Sequence, residues 1–272
     1  MRATNPVIKS IIMHYYRLLI AAVIVSVAFA FTRTHHDAVT KVAVNPGFAL
    51  IELYTSEGCS SCPAADKLVA KIAQEYKDKE VYVLAYHVDY WNRLGWKDVF
   101  SSPQYSARQK EYSNYLKLDG VYTPQAIVNG KTEFVGSDES KMRAVIQQSL
   151  SKNASADITL SNVKISGNKA NLQYRVTGAQ ANSNLMLAVI QKHAQTQVKA
   201  GENSGRMLPH INIVQKLQVI GLKNNAGNAE ISLPDGFNTK DWGIVCFVQN
   251  NRDGEIQAVQ KAVLDNKELA AN

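Results

Sequence analysis

The chain has 272 residues, 46% of them hydrophobic and 19% charged. That is enough apolar material for a packed core, and enough length for one large domain or two ordinary ones. Its 15 Gly, 7 Pro and 3 Cys exclude collagen-like, low-complexity and disulfide-stapled miniature designs, and a net charge of +7 without a dense Lys/Arg stripe argues against a nucleic-acid partner.

The first element reads as an address. Leu18 to Phe31 is unbroken apolar or small, follows Arg2, Lys9 and Arg17, and precedes the first acid. It is shorter than the roughly 20 residues of a spanning helix, and Ala28-Phe29-Ala30 offers a small-x-small cleavage site. Residues 1–31 are therefore expected to be a signal peptide, or a membrane anchor if uncleaved. The remainder is exported, to a periplasmic or extracellular space where disulfides persist. Contact with a membrane is expected only through this segment.

Residues 46–152 alternate strands and helices. Phe48–Tyr54 reads as a strand. Pro63–Tyr76 puts Ala65, Leu68, Val69, Ile72, Ala73 and Tyr76 on one helical stripe. Val81–Tyr86 is a second buried strand, parallel to the first if the crossover is right-handed. Ser102-Pro103 opens a helix carrying Tyr105, Gln109, Tyr112 and Leu116. Gln125–Val128 and Lys131–Val135 flank Asn129-Gly130, a hairpin turn. Ser137–Glu139 opens a last helix with Met142, Val145, Ile146 and Leu150 as its stripe.

Residues 155–265 differ: short apolar runs around Leu172–Val176, Leu185–Ile190, Val214–Leu222, Ala229–Leu233 and Ile244–Gln249 are punctuated by Gly, Asn and Pro. This spacing suggests an all-β, antiparallel, sandwich-like domain. The seam falls near Ser151–Ala156. The expected architecture is thus an α/β domain followed by a sandwich-like one.

Chemistry concentrates at Cys59-Ser60-Ser61-Cys62-Pro63, between a strand and an amphipathic helix. The free amides and dipole of a helix opening favour a thiolate over a thiol. Cys59 is the expected attacking thiol, and Cys62, three residues on, the one that resolves a mixed disulfide. A purely structural disulfide and half of a metal site are the other readings; no second Cys pair completes a zinc set.

Strand, Cys-x-x-Cys, helix and then Thr123-Pro124 before a strand resembles the thioredoxin fold. The resemblance implies a cis bond at Pro124, Thr123 facing Cys59, and substrate contact through that pair. Leu53–Pro63, His87-Val-Asp-Tyr-Trp91, Gly120–Gln125 and Gly201-Glu-Asn-Ser-Gly-Arg206 are similar to signatures of a secreted thioredoxin-like family of unknown function. Its fold is implied, but no settled substrate.

Departures from thioredoxin carry meaning. Gly58 stands where thioredoxin has tryptophan, so Trp91, in the aromatic stretch Tyr90-Trp91-Leu94-Trp96, either supplies a peptide-binding lip or packs over the helix. Glu57 places charge near the thiolate and opposes the helix dipole. Glu52 lies one residue further from the dithiol than thioredoxin's buried acid, a shift that turns it to the other sheet face. His87 and Asp89 end the second strand and can share a face. Together with Glu52 and Glu57 they are the candidates for a proton relay; His87 with Cys59 and Cys62 is the alternative metal set, a combination that copper-handling relatives of the fold use. Otherwise His87 and Asp89 organise the loop after them. Arg206 and His210 either reach the first domain or an anion, or belong to a loop that only turns the chain. Cys246 reads as a small buried hydrophobe.

The sequence therefore points to an exported thiol–disulfide oxidoreductase-like protein acting on protein or peptide thiols and disulfides, recycled by an unidentified redox partner. It needs no cofactor beyond its own disulfide. The alternative is a non-catalytic binding protein, for example a copper or zinc carrier.

Overall fold

The structure is a computed structural model that describes residues 7–11, 13–16 and 45–264. It divides into Met1–Ala43 and Val44–Asn272. In the first unit, residues 7–11 and 13–16 are helical and exposed; the apolar run Leu18–Phe31 lies outside the described residues. No helix among the described residues is long and apolar enough to cross a membrane.

The second unit is built on β1 (Ala49–Thr55), α1 (Cys62–Glu75), β2 (Val81–His87), a 3-10 turn (Asn92–Leu94), α2 (Pro103–Leu116), β3 (Gln125–Val128), β4 (Thr132–Val135) and α3 (Glu139–Leu150). Strands β5 (Asp157–Ser166), β6 (Lys169–Thr177), β7 (Ser183–Gln197), β8 (Met207–Gly221), β9 (Ala226–Ser232), β10 (Trp242–Asn250) and β11 (Ile256–Lys261) complete it. β1 and β2 are parallel neighbours and β3 runs antiparallel on the other side of β1, as the crossover argument anticipates.

β1 is buried along its whole length because both its faces are covered. Ala49, Ile51 and Leu53 meet Leu68, Val69 and Ile72 of α1 and Met142, Val145 and Ile146 of α3. Leu50 and Tyr54 meet Tyr105 and Tyr112 of α2. Two-sided burial requires apolar side chains at successive positions, which is why this strand reads as an unbroken run. Ser102 caps α2 by accepting from the Gln104 amide, with Pro103 in its first turn, and Asp138 caps α3 by accepting from the Lys141 amide.

The sheet does not stop at the expected seam. Its order is β11-β10-β7-β8-β2-β1-β3-β4, so strands from the later stretch extend the earlier sheet through β8, which runs parallel to β2. A separate antiparallel sheet, β5-β6-β9, buries Leu172, Tyr174, Val176 and Ile231 against Leu187 and Val189 of β7 and Ile244 and Cys246 of β10. Those central strands again carry apolar residues on both faces: Met186, Ala188 and Phe247 point into the α2 core.

The Asn129-Gly130 turn ties these parts together. Both residues have positive φ, 51° and 68°, as a primed turn requires. The Asn129 side chain accepts from the Leu50 amide and donates to the Phe48 carbonyl, and the Ile256 amide donates to its carbonyl. A Cβ on Gly130 would lie 1.9 Å from the Gly254 carbonyl oxygen, so only glycine lets the β3–β4 turn approach the β10–β11 turn this closely. Val128 pairs with Thr132, which places Lys131 in the turn rather than in the strand.

Candidate functional site

At the end of β1 the chain turns sharply. Ser56 accepts the Cys59 amide on its carbonyl and the Gly58 amide on its hydroxyl, and the Cys62 amide donates to the Cys59 carbonyl as α1 begins. Cys59 and Cys62 are joined by a disulfide, with Cα atoms 5.4 Å apart. Their side chains are fully buried, whereas Ser60 and Ser61 between them are exposed.

The Thr123-Pro124 bond is cis. Pro124 lies beside α1: a Cβ placed on Gly136 would meet Pro124 and Ala65 at 3.3 Å each. Trp91 spans from this pair to the dithiol turn. Its indole N–H donates to Thr123 Oγ1 at 2.8 Å, and its Cβ would lie 3.2 Å from a Cβ on Gly58. Trp91 thus packs directly beside Gly58, where an added Cβ would press on it.

The acids and imidazoles distribute between two places. Glu52 lies on the α2 side of the sheet, as its parity implies, and is held bidentately by Arg108 at 2.7 and 3.1 Å and by the Tyr112 hydroxyl. It does not share the face of the dithiol helix, which removes it from the expected relay. Asp89 leaves as well: β2 ends at His87, the two-residue alternation lapses, and Asp89 turns to accept from the Ser106 hydroxyl of α2 at 2.5 Å.

His87 and Glu57 stay, and they are joined by Asp66, Asp98 and His210. His87 Nδ1 lies 2.7 Å from Asp98 Oδ2, which also accepts the Glu57 amide. His210 packs edge-on against His87, with ring centroids 4.9 Å apart. Its Nε2 lies 3.3 Å from Glu57 Oε1 and its Nδ1 3.9 Å from Asp66 Oδ2. The Trp96 indole N–H donates to Glu57 Oε2. Among the described residues His87 Nε2, Glu57 Oε1 and both His210 ring nitrogens have no hydrogen-bond partner. Two imidazoles and three carboxylates therefore share one buried polar cluster. Asp66, one turn after Cys62 on α1, and Glu57, two residues before Cys59, connect it to the dithiol turn.

Within this cluster burial depresses His87, but the Asp98 carboxylate beside it, with help from Asp66 and Glu57, outweighs burial and holds the imidazole above its ordinary value. Burial pushes Asp98 up, yet the His87 charge and hydrogen bond bring it below the usual carboxylate range. Burial raises Asp66. The raised histidine contributes stability that is full below its unfolded value of about 6.5 and is lost as pH rises through the folded one. The lowered aspartate contributes stability above about 3.9 and loses it as pH falls through its folded value. His87→Gln is thus expected to lower unfolding free energy by about 2 kcal/mol in mildly acidic buffer. The difference from wild type should shrink as pH rises through the folded value of His87, read by urea denaturation; a pH-independent difference would remove the ion pair from the account.

The two sulfurs are bonded to each other, His87 Nδ1 faces Asp98, and among the described residues no group of three or more His, Cys, Asp or Glu side chains is placed to hold a metal ion.

The hairpin between β7 and β8 does more than turn the chain. Its tip lies over the dithiol: Asn203, fully buried, donates through Nδ2 to the Glu57 and Cys59 carbonyls at 2.9 and 2.8 Å. Arg206 donates to Asn203 Oδ1 at 2.6 Å, and Glu202 Oε2 accepts the Ser60 amide at 2.9 Å. The sequence marks this segment by Gly201 and Gly205, but nothing local marks Glu202 or Asn203 as partners of residues so far upstream. Asp66 had a signal, since it stands four residues after Cys62 on a helix and shares its side. Asp98 had none. Cys246 is free and buried in β10, where burial pushes its thiol up to about 12.

Residues 50–249 match the model of a family described as protein of unknown function (DUF1223). The thioredoxin of Methanocaldococcus jannaschii is 33% identical over 87 residues, which span 32% of this chain and 78% of that protein. Among solved structures, protein AGR_C_4864 from Agrobacterium tumefaciens aligns with a TM-score of 0.62 at 25% identity, covering 81% of this chain and 96% of its own. HBP35 of Porphyromonas gingivalis aligns with a TM-score of 0.59 at 18% identity, covering 84% and 78% respectively.

Proposed function

We propose, from the premise that this chain belongs to the DUF1223 family, that it is an exported thiol–disulfide oxidoreductase acting on protein or peptide substrates. The observation that carries the reading is the Cys59–Cys62 disulfide at the opening of α1, flanked by the cis Thr123-Pro124 pair and Trp91. Likeness to a thioredoxin supports it. Export rests on the basic, apolar leader and on the persistence of disulfides outside the cytosol. We read residues 155–265 as the sandwich-like part, its β5-β6-β9 sheet layered on β7 and β10 of the extended sheet.

In the reduced protein, the Cys59 thiolate attacks one sulfur of a substrate disulfide. An S–S bond forms to Cys59, the substrate bond breaks, and one substrate thiolate departs. Cys62 then gives up its proton to solvent and attacks the Cys59 sulfur, which releases the second substrate thiolate and closes the Cys59–Cys62 bond. Two electrons pass to the substrate. A partner dithiol restores the protein by the same steps reversed, and a substrate dithiol can be oxidised in that direction. Thr123, Pro124 and Trp91 are the proposed walls for the substrate backbone. No cofactor beyond the two sulfurs enters these steps.

The test places the full chain in glutathione buffers of graded poise and counts alkylatable thiols by mass spectrometry, with circular dichroism in parallel. A reversible two-electron transition with the fold retained is expected, together with exchange against a peptide disulfide. A bond that yields only as the protein unfolds would make it a structural crosslink and end the reading.

A further inference from the structure

The segment after β7 closes on itself: the Val198 amide donates to the Arg206 carbonyl, the Gly205 amide to the Val198 carbonyl, and the Arg206 amide to the Asn203 carbonyl. Gly201 has φ +75°, and a Cβ there would lie 3.2 Å from the Trp96 Cβ. The loop is therefore an ordered, compact tip seated against the same aromatic stretch that borders the dithiol. Its Asn203 side chain occupies the carbonyls of Glu57 and Cys59, and its Glu202 carboxylate occupies the Ser60 amide.

Those contacts fit one oxidation state better than the other. In the disulfide form the turn at Cys59–Cys62 carries no charge, and the Ser60 amide is free for a carboxylate. In the reduced form a thiolate at Cys59 places a negative charge on the residue next to Ser60. It competes for the same amide-rich helix opening and repels Glu202, while the carboxylates of Glu57, Asp66 and Asp98 are already gathered in the adjoining cluster with His87 and His210. Glu202 itself is held below its ordinary range by its hydrogen bonds to Ser60, so it is ionised wherever the thiolate is.

We infer that the tip of the β7–β8 hairpin, residues 198–206, is a redox-linked strap. Glu202 and Asn203 fasten it over the oxidised dithiol, and the charge of Glu202 makes it hold the disulfide form more tightly than the thiolate form. By linkage, the strap's preference and the dithiol's poise are one quantity: what favours the closed strap on the disulfide makes the disulfide harder to reduce by the same factor. Glu202 is a positioning residue in this scheme, acting on Cys59 through the Ser60 amide. Both cysteines are buried when the strap is down, so a reducing thiol reaches the disulfide when the strap opens transiently, and reduction then keeps the strap lifted and the thiolate exposed. The inference rests on the proposed redox role of Cys59 and Cys62.

The test compares full-length wild type with Glu202→Gln, an exposed position whose change leaves the core untouched. In glutathione buffers, two glutathione thiols reduce the protein disulfide and leave as one glutathione disulfide, so the equilibrium reads the potential directly. Removing the charge is expected to shift that equilibrium toward the reduced protein by about two- to fivefold, about 10–20 mV for this two-electron couple. Glu202→Lys should shift it further the same way. Hydrogen exchange of the 198–206 amides should accelerate on reduction in wild type, and less so in Glu202→Gln. Equal potentials in wild type and both variants, a shift toward the oxidised form, or exchange in the strap that ignores oxidation state would each overturn the inference. If the wild-type disulfide itself resists reversible reduction, the redox reading of the dithiol has failed instead, and the strap falls with it.

Discussion

Cys59→Ser is expected to reduce peptide-disulfide exchange to the uncatalysed background, a loss on the order of 10³-fold or more, whereas Cys62→Ser should make the first bond and fail to leave it. The asymmetry follows from position. Cys62 is the first residue of α1 and Cys59 stands three residues before it, at the amide-rich helix opening that favours a thiolate, so Cys62 is placed to attack Cys59 from one turn away. The Cys62→Ser protein incubated with a peptide disulfide should therefore accumulate a covalent adduct on Cys59, with the mass of the peptide thiol, that dithiothreitol releases. Exchange that survives in Cys59→Ser, or an adduct found on Cys62 instead, would reverse the assignment of the two sulfurs. Cys246 does not interfere, because its thiol is buried and its deprotonation suppressed.

The largest stability effect is expected on the far face of the sheet. Arg108 holds Glu52 with two nitrogens, Gln249 of β10 with a third contact and the Tyr112 hydroxyl with a fourth. Its guanidinium also stacks over Tyr112 and Phe247 at 5.0 and 5.4 Å. One side chain of α2 thereby joins β1 to β10. Arg108→Ala strands a carboxylate in a fully buried site, and removing one partner of such a pair costs about 3–5 kcal/mol. That is a large share of the roughly 5–15 kcal/mol by which native domains are stable. Urea unfolding should show the lower midpoint. Glu52→Leu combined with Arg108→Met should recover most of the loss, since the missing charge no longer leaves another behind. A double variant as unstable as Arg108→Ala would mean that packing around the arginine, rather than the unpaired carboxylate, sets the effect.

What the sequence revealed and what it hid have separate physical causes. The stripe of α1, the proline-started α2 and the Asn129-Gly130 turn are local periodicities, and each appears where the pattern puts it. The side of the sheet taken by Glu52 was legible for the same reason, because strand parity is a local property. Asp89, two residues past β2, turns away from His87 because strand parity ends with the strand. The joining of β8 to β2 left no periodic trace: a strand buried on both faces looks the same whether its neighbours come from near or far in the chain. The strap was hidden for a related reason. Asn203 acts through a side-chain amide on two main-chain carbonyls, and a main-chain acceptor has no residue type to betray it.

The passage of the sheet through both stretches has a practical outcome for anyone cutting the gene. A fragment ending near residue 152 would lose β8 from the flank of β2, together with Met186, Val214 and Phe247 from the apolar layer under α2. It would present a raw strand margin and an unroofed greasy floor, the two features that drive a chain to stick to copies of itself. The thioredoxin-like half is thus not a transplantable cassette: its solubility is written partly in residues that come after it.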